Sequence, residues 1–178
     1  MGKIKSSRKK IKRKLATKFT QAVSKKQKGN MIKEYLRKTV EFSKRTKLNK
    51  LGEYISIDDF IYQNGLYFKP KLLPKGIIQG RMKECYKNAA LLAMEKPNYF
   101  YVEGIACGII PVLHAWCVDK DKNVIDPTWP DGKEYFGVII KKEFLFKQTV
   151  KWGFGLIDNW KNGWPLLTLD KKEWREAK

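Results

Sequence analysis

Three side chains able to do nucleophilic chemistry follow one another along the chain: Cys85, His114 and Asp126. Cys85 opens a helical pattern, His114 is the only histidine, and Asp126 begins the run Asp126-Pro127-Thr128-Trp129. Amides at a helix N-terminus stabilise a thiolate and make such a cysteine a nucleophile. A neighbouring imidazole takes the thiol proton and later protonates the leaving group. A carboxylate on the other ring nitrogen fixes the tautomer and orientation of that imidazole. Each residue alone also has a structural reading. A lone cysteine on an apolar helix is commonly core, and Asp before Pro-Thr commonly opens a turn. Cys107 precedes a glycine, and Cys117 lies three positions after His114, on the opposite face of a strand. Both read as packing residues, and three thiols without a secretory signal read as free.

The elements that must position these residues are legible from periodicity. Ile11, Leu15, Phe19 and Val23 at i, i+4 spacing draw an apolar stripe on a basic helix over 7–26. After Lys28-Gly29-Asn30, a second helix carries Ile32, Tyr35, Leu36, Thr39 and Val40 on one face. Ser56 caps a short helix with Asp58 and Asp59 in its first turn, and Asn64-Gly65 stops it. Residues 66–80, rich in Pro and Gly, read as a loop or broken strand. Residues 84–95 read as a buried helix with Cys85, Ala89 and Leu92 on one face. The period then becomes two, and strands are expected at 99–105, 111–118, 123–126 and 134–140. Residues 141–150 read as a helix, and the tryptophan-rich tail shows little regularity. A helix followed by antiparallel strands gives an α+β fold. Strands joined by the turn at 120–122 can bring His114 and Asp126 side by side.

Charge divides the chain. Of 38 Lys and Arg against 18 Asp and Glu, residues 1–50 hold 19 bases and two acids, a net of +17. Residues 51–178 are nearly balanced at +3. The expected organisation is a basic, largely helical arm over 1–50 and a domain over 51–178. A uniformly basic fold and an acidic mimic are excluded, and 43% hydrophobic residues exclude a wholly disordered chain. A basic helix neutralises phosphates, so Lys9, Lys10, Lys12, Arg13, Lys14, Lys18, Lys25 and Lys26 are expected to bind nucleic acid or another polyanion. Membrane binding and a solvated tail are the competing readings of the arm. The longest apolar run, 104–118, contains Pro111 and His114 and is too short to cross a bilayer. No signal peptide is visible, so a cytoplasmic or virion-associated location is expected. The density of Lys, Ile and Asn fits an AT-rich coding source such as a phage. With no CxxC and one histidine, spacing gives no zinc site, and no cofactor is expected.

Cys85 at a helix start, Tyr101-Val102-Glu103-Gly104, His114-Ala115-Trp116 and Asp126-Pro127-Thr128 together resemble the transglutaminase-like core. Gln79-Gly80, four residues, then Cys85-Tyr86 also resembles a papain-type Gln-Gly-x4-Cys segment. The resemblance covers roughly 77–140. It implies a central Cys-bearing helix packed on an antiparallel sheet, and a Cys85–His114–Asp126 triad. It also implies an oxyanion site made by Gln79 and the Cys85 N–H. Trp116, Trp129 and Tyr86 would line the substrate cleft, with Trp152, Trp160 and Trp164 available nearby. The chain departs from the family in its short intervals, in Glu84 beside the thiol, and in lacking a calcium-binding carboxylate cluster. The implied chemistry is acyl transfer on a protein or peptide amide through a thioester. Water as acceptor gives a protease, amidase or deamidase, and an amine gives a transglutaminase. A catalytically silent fold of this type, serving as a nucleic-acid-binding or virion-associated structural protein, is the alternative.

Overall fold

In the computed structural model, which describes residues 31–46, 50–129 and 131–176, helix α1 (Met31–Arg45) forms on a four-residue repeat. Ile32, Leu36 and Val40 recur at that spacing and all are buried. Its outer face is charged in register, with Arg37 paired to Glu34 at 2.8 Å and to Glu41 at 2.6 Å. Such exposed pairs contribute about 0.2–0.5 kcal/mol each, so the apolar stripe decides where α1 sits. Ile32 and Leu36 enter the main core, and the Ile32 N–H donates to Glu134 Oε1 at 3.3 Å. The domain boundary expected at residue 50 is therefore corrected. The compact unit runs Ile32–Lys178, because α1 is basic on one face only. The stripe at 7–26 and the eight candidate polyanion-binding residues lie outside the described residues.

Helix α2 (Ile57–Asn64) starts where Ser56 Oγ accepts from the Asp59 N–H at 3.1 Å. Asp59 in return accepts from the Ile55 N–H at 3.1 Å, so two free amides are met reciprocally. Strand β1 (Leu66–Phe68) is the short ordered part of the expected broken strand. Helix α3 (Cys85–Glu95) follows, then β2 (Phe100–Cys107), β3 (Pro111–Val118), β4 (Val124–Ile125), β5 (Glu134–Ile140) and α4 (Lys142–Trp152). The tail is more ordered than expected. It forms a 3-10 turn (Trp160–Asn162), α5 (Pro165–Thr168) and α6 (Lys171–Trp174), and it buries Leu156, Ile157 and Trp174 completely.

The sheet is antiparallel throughout, in the order β1-β5-β2-β3-β4. It curls until its edges meet. The Lys69 N–H, just past β1, donates to Lys122 O at 3.0 Å, and Lys69 O accepts from the Val124 N–H at 2.9 Å. Curling hides edge strands that would otherwise offer unpaired backbone groups. It also gives the sheet two apolar faces. Helix α3 packs on β2 and β3, against Tyr101, Ile105, Ala115 and Cys117. The alternate residues Val102, Trp116 and Val118 form a second cluster with Phe68, Val124 and Tyr135. Tight curvature needs small residues. A Cβ on Gly137 would stand 2.5 Å from Glu103 O and 2.9 Å from the Trp116 ring, so only glycine lets β5 approach there. Among the described residues no helix is long and apolar enough to cross a membrane.

Glu103, fully buried on β2, holds the tail to the sheet. It accepts from the Tyr101 hydroxyl at 2.7 Å, from the Leu156 N–H at 2.9 Å and from the Ile157 N–H at 2.7 Å. Burial pushes its carboxyl up to about 7, and the three donors hold it from rising further. A carboxyl raised above its unfolded value contributes stability that is present below pH 4.5 and lost as pH rises through about 7. Glu103→Ala strands three buried donors. The expected cost is about 3–5 kcal/mol, read as a lower urea midpoint at pH 6; an unchanged midpoint would show that the tail is held by other contacts.

Candidate active site

The position of Cys85, the candidate nucleophile, is set by how α3 begins. Glu84 occupies the N-cap without a side-chain cap, and the first intrahelical bond runs from the Asn88 N–H to Glu84 O at 2.8 Å. The amides of 85–87 therefore point out of the helix start without partners inside it. Cys85 is half-buried there, whereas Cys107 and Cys117 are buried. Glu84 does not face the sulfur as an uncompensated charge, because Arg81 at 3.5 Å and Lys87 at 3.3 Å pair with it.

His114 sits on β3 opposite Gly104 of β2. Its Nε2 lies 2.7 Å from Asp126 Oδ2, with the two side chains 6% and 1% exposed. That leaves Nδ1 free of Asp126, and Cys85 lies close enough to this ring to raise its basicity. The structure thus brings His114 and Asp126 into direct contact, with Cys85 beside the ring. Burial alone would lower the basicity of His114. The hydrogen bonds to Asp126 and Cys85 outweigh it and raise the ring to about 9. A ring that keeps its proton at neutral pH sets a positive charge against the sulfur and is ready to protonate a leaving group.

Asp126 is held from four directions. Its Oδ1 accepts from the Thr128 N–H at 2.9 Å and the Trp129 N–H at 2.8 Å. Its Oδ2 accepts from the Tyr135 hydroxyl at 2.9 Å as well as meeting the imidazole. The turn Asp126-Pro127-Thr128 is an Asx turn, so this part was readable in the sequence. Tyr135 and Glu103 were not: Tyr135 meets Asp126 only through the way β5 packs, and Glu103 takes its tail amides from 53 and 54 positions away. Asn88 was also missed. Its side chain donates to Thr128 Oγ1 at 2.9 Å and to Arg81 O at 2.8 Å.

The expected substrate-binding residues divide. Trp116 is fully buried and stacks behind His114 at 6.1 Å with an 18° tilt. It cannot line an open cleft, and that assignment is corrected: alternation on β3 turns it into the second core. Trp129 is partly exposed and meets the His114 ring edge-on at 5.8 Å. Tyr86 lines a groove of about 280 Å³ with Trp152, Phe154 and Trp160. Gln79 is exposed. Its neighbour Gly80 donates to Pro127 O at 2.7 Å, which fixes this loop near the Asp126 turn. Cys117 donates to Ala89 O at 3.2 Å, and burial drives its thiol far up. Among the described residues no three His, Cys, Asp or Glu side chains converge as metal ligands. No family model matches the chain, and no match was found to a curated protein or a solved structure.

A histidine raised from 6.5 to about 9 contributes stability that is complete below 6.5 and lost as pH rises through about 9. Glu103 loses its contribution nearer 7, so the upper half of the window reports His114. The urea midpoint of the wild type should fall between pH 8 and about 9.5, the range set by this linkage. His114→Ala should flatten that segment, since Asp126 keeps its other three donors. An equal slope in both proteins would refute the linkage.

Proposed function

We propose that the protein is a thiol-dependent acyl-transfer enzyme acting on carboxamides, with a transglutaminase-like or papain-like core. The observation that carries the reading is the 2.7 Å pair between His114 Nε2 and Asp126, on a ring whose basicity Cys85 also raises. The Cys85 sulfur attacks the carboxamide carbon and forms a C–S bond as the carbonyl becomes an oxyanion. The amides at the start of α3 face that oxygen. One oxyanion donor is worth about 3 kcal/mol in comparable sites. Gln79, on the loop that Gly80 fastens beside the Asp126 turn, is the side-chain donor assigned to the same oxygen. As the C–N bond breaks, the imidazolium passes its proton to the departing amine. Water or a second amine then attacks the thioester, gives its proton back to the imidazole and releases the sulfur. Asp126 keeps Nδ1 aimed at the sulfur through both steps. Trp129 and the Tyr86 groove flank the approach.

Residues 1–30 carry twelve Lys and Arg and no acid, and this segment binds a polyanion, with nucleic acid the favoured partner. Binding of the full chain to duplex DNA or RNA should weaken linearly in log affinity against log salt, with a slope of several units. Binding that ignores salt would sink this part of the proposal.

Turnover is tested by following amine or ammonia release from a peptide carboxamide library, with an iodoacetamide probe reporting the sulfur. Cys85→Ala and His114→Ala should each abolish release. Asp126→Asn, which keeps the shape of the site, should lower it by about 10²–10⁴-fold. Near-full turnover in folded His114→Ala would overturn the triad reading.

A further inference from the structure

Two separate units must meet for this triad to work. His114 and Asp126 are fixed to each other by the sheet and the Asx turn, while Cys85 rides on α3. Helix α3 meets the sheet through Ala89, Ala90, Leu92 and Ala93, all buried. Apolar packing of small residues is non-directional and sets the helix height only loosely. A displacement of about 1 Å at reacting atoms can cost a hundredfold in rate. Something directional must set the register, and it is found one turn along the helix from Cys85.

We infer that Asn88 is a positioning residue that locks the nucleophile's helix to the turn bearing the triad carboxylate; the inference rests on the triad reading above. Both protons of its side-chain amide are used. One goes to Thr128 Oγ1 at 2.9 Å, and the other to Arg81 O at 2.8 Å in the turn leading into the helix. Thr128 in turn donates its N–H to Asp126 Oδ1 at 2.9 Å. A continuous path of bonds results: from Cys85 one helical turn to Asn88, then Thr128, Asp126 and His114, the ring beside which Cys85 stands. The path has room because residue 80 is glycine. A Cβ there would lie 2.4 Å from Asn88 Cγ. The Gly80 N–H donates to Pro127 O at 2.7 Å, so the same loop is fastened to the same turn. The amide thus joins three segments, the helix, the loop before it and the Asp126 turn.

The test measures the rate of Cys85 alkylation by iodoacetamide across pH 5–10 in the full chain, with adducts located by mass spectrometry. Wild-type Cys85 should react fast at and below neutral pH, as a sulfur paired with an imidazolium does. Asn88→Ala and Thr128→Val should each lose about tenfold of the neutral-pH rate and resemble an unassisted thiol. Thr128→Ser keeps the acceptor oxygen and should recover most of the loss. The double variant Asn88→Ala/Thr128→Val should be no slower than either single variant, because both remove one link. If Asn88→Ala fails to fold, the Thr128→Val and Thr128→Ser pair decides alone, since Val keeps the shape without the hydroxyl and Ser keeps the hydroxyl with the loss of one methyl. A fast wild type with unchanged rates in the folded variants would overturn the positioning role and leave the triad standing. Equal losses in Thr128→Ser and Thr128→Val would also overturn it. A wild-type Cys85 that reacts no faster than an unassisted thiol would remove the triad reading and this inference with it.

Discussion

A carboxylate that is 1% exposed persists only where its lone pairs are met, because desolvating an unpaired charge costs several kcal/mol. Asp126 meets that condition with two backbone amides, a tyrosine hydroxyl and an imidazole. Much else follows from satisfying this one group. The amides require the tight turn after β4. The hydroxyl requires Tyr135 on β5 to reach across, and Tyr135 also donates to Trp129 O at 3.0 Å, which closes the turn. The imidazole requires β3 to present His114 inward beside Trp116. The curl of the sheet is what brings β3, β4 and β5 within reach of one carboxylate.

The second buried acid, Glu103, shows what the same chemistry does without a cationic partner. Its donors are neutral, so burial dominates and its proton is held up to about 7. Asp126 instead meets an imidazole whose basicity it raises, to about 9. One acid therefore supplies charge to a site, and the other supplies hydrogen-bond acceptors to a tail. Glu103 lies on β2 and Asp126 in the turn just after β4, and their roles differ because only Asp126 has an imidazole in reach. Glu103 also raises the Tyr86 hydroxyl by charge, after burial. The acid that anchors the tail thus stands close to the helix start that carries Cys85.

The arrangement has a mechanical logic. Strand pairing and the turn after β4 hold His114 and Asp126 as one rigid unit. Cys85 belongs to a helix seated largely by alanines, which permit close approach and give little lateral grip. Directional bonds at the helix start then do what packing cannot. The same division recurs at α1, which is seated by Ile32 and Leu36 and tied by a bond from the Ile32 amide to Glu134.

The sequence by itself determined the elements, because the periods of two and near four and the cap residues act over a few neighbouring positions. Strands at 111–118 and 134–140, the Ser56 cap and the helix opened by Cys85 were all legible. So was the alternation that sends Cys117 and His114 to opposite sides. That alternation was not carried to Trp116, which alternates with Cys117 and is buried. Charge misled at α1, since net charge records composition and says nothing about which face is covered. Only the tertiary structure decided the curl, the two-faced core and the partners of Glu103, Tyr135 and Asn88. Glu103 takes its tail amides from 53 and 54 positions away, and Asn88 reaches Thr128 across 40. Hydrogen bonds over such separations leave no periodic trace in a chain, because each needs only one donor and one acceptor brought together by the packing of everything between them.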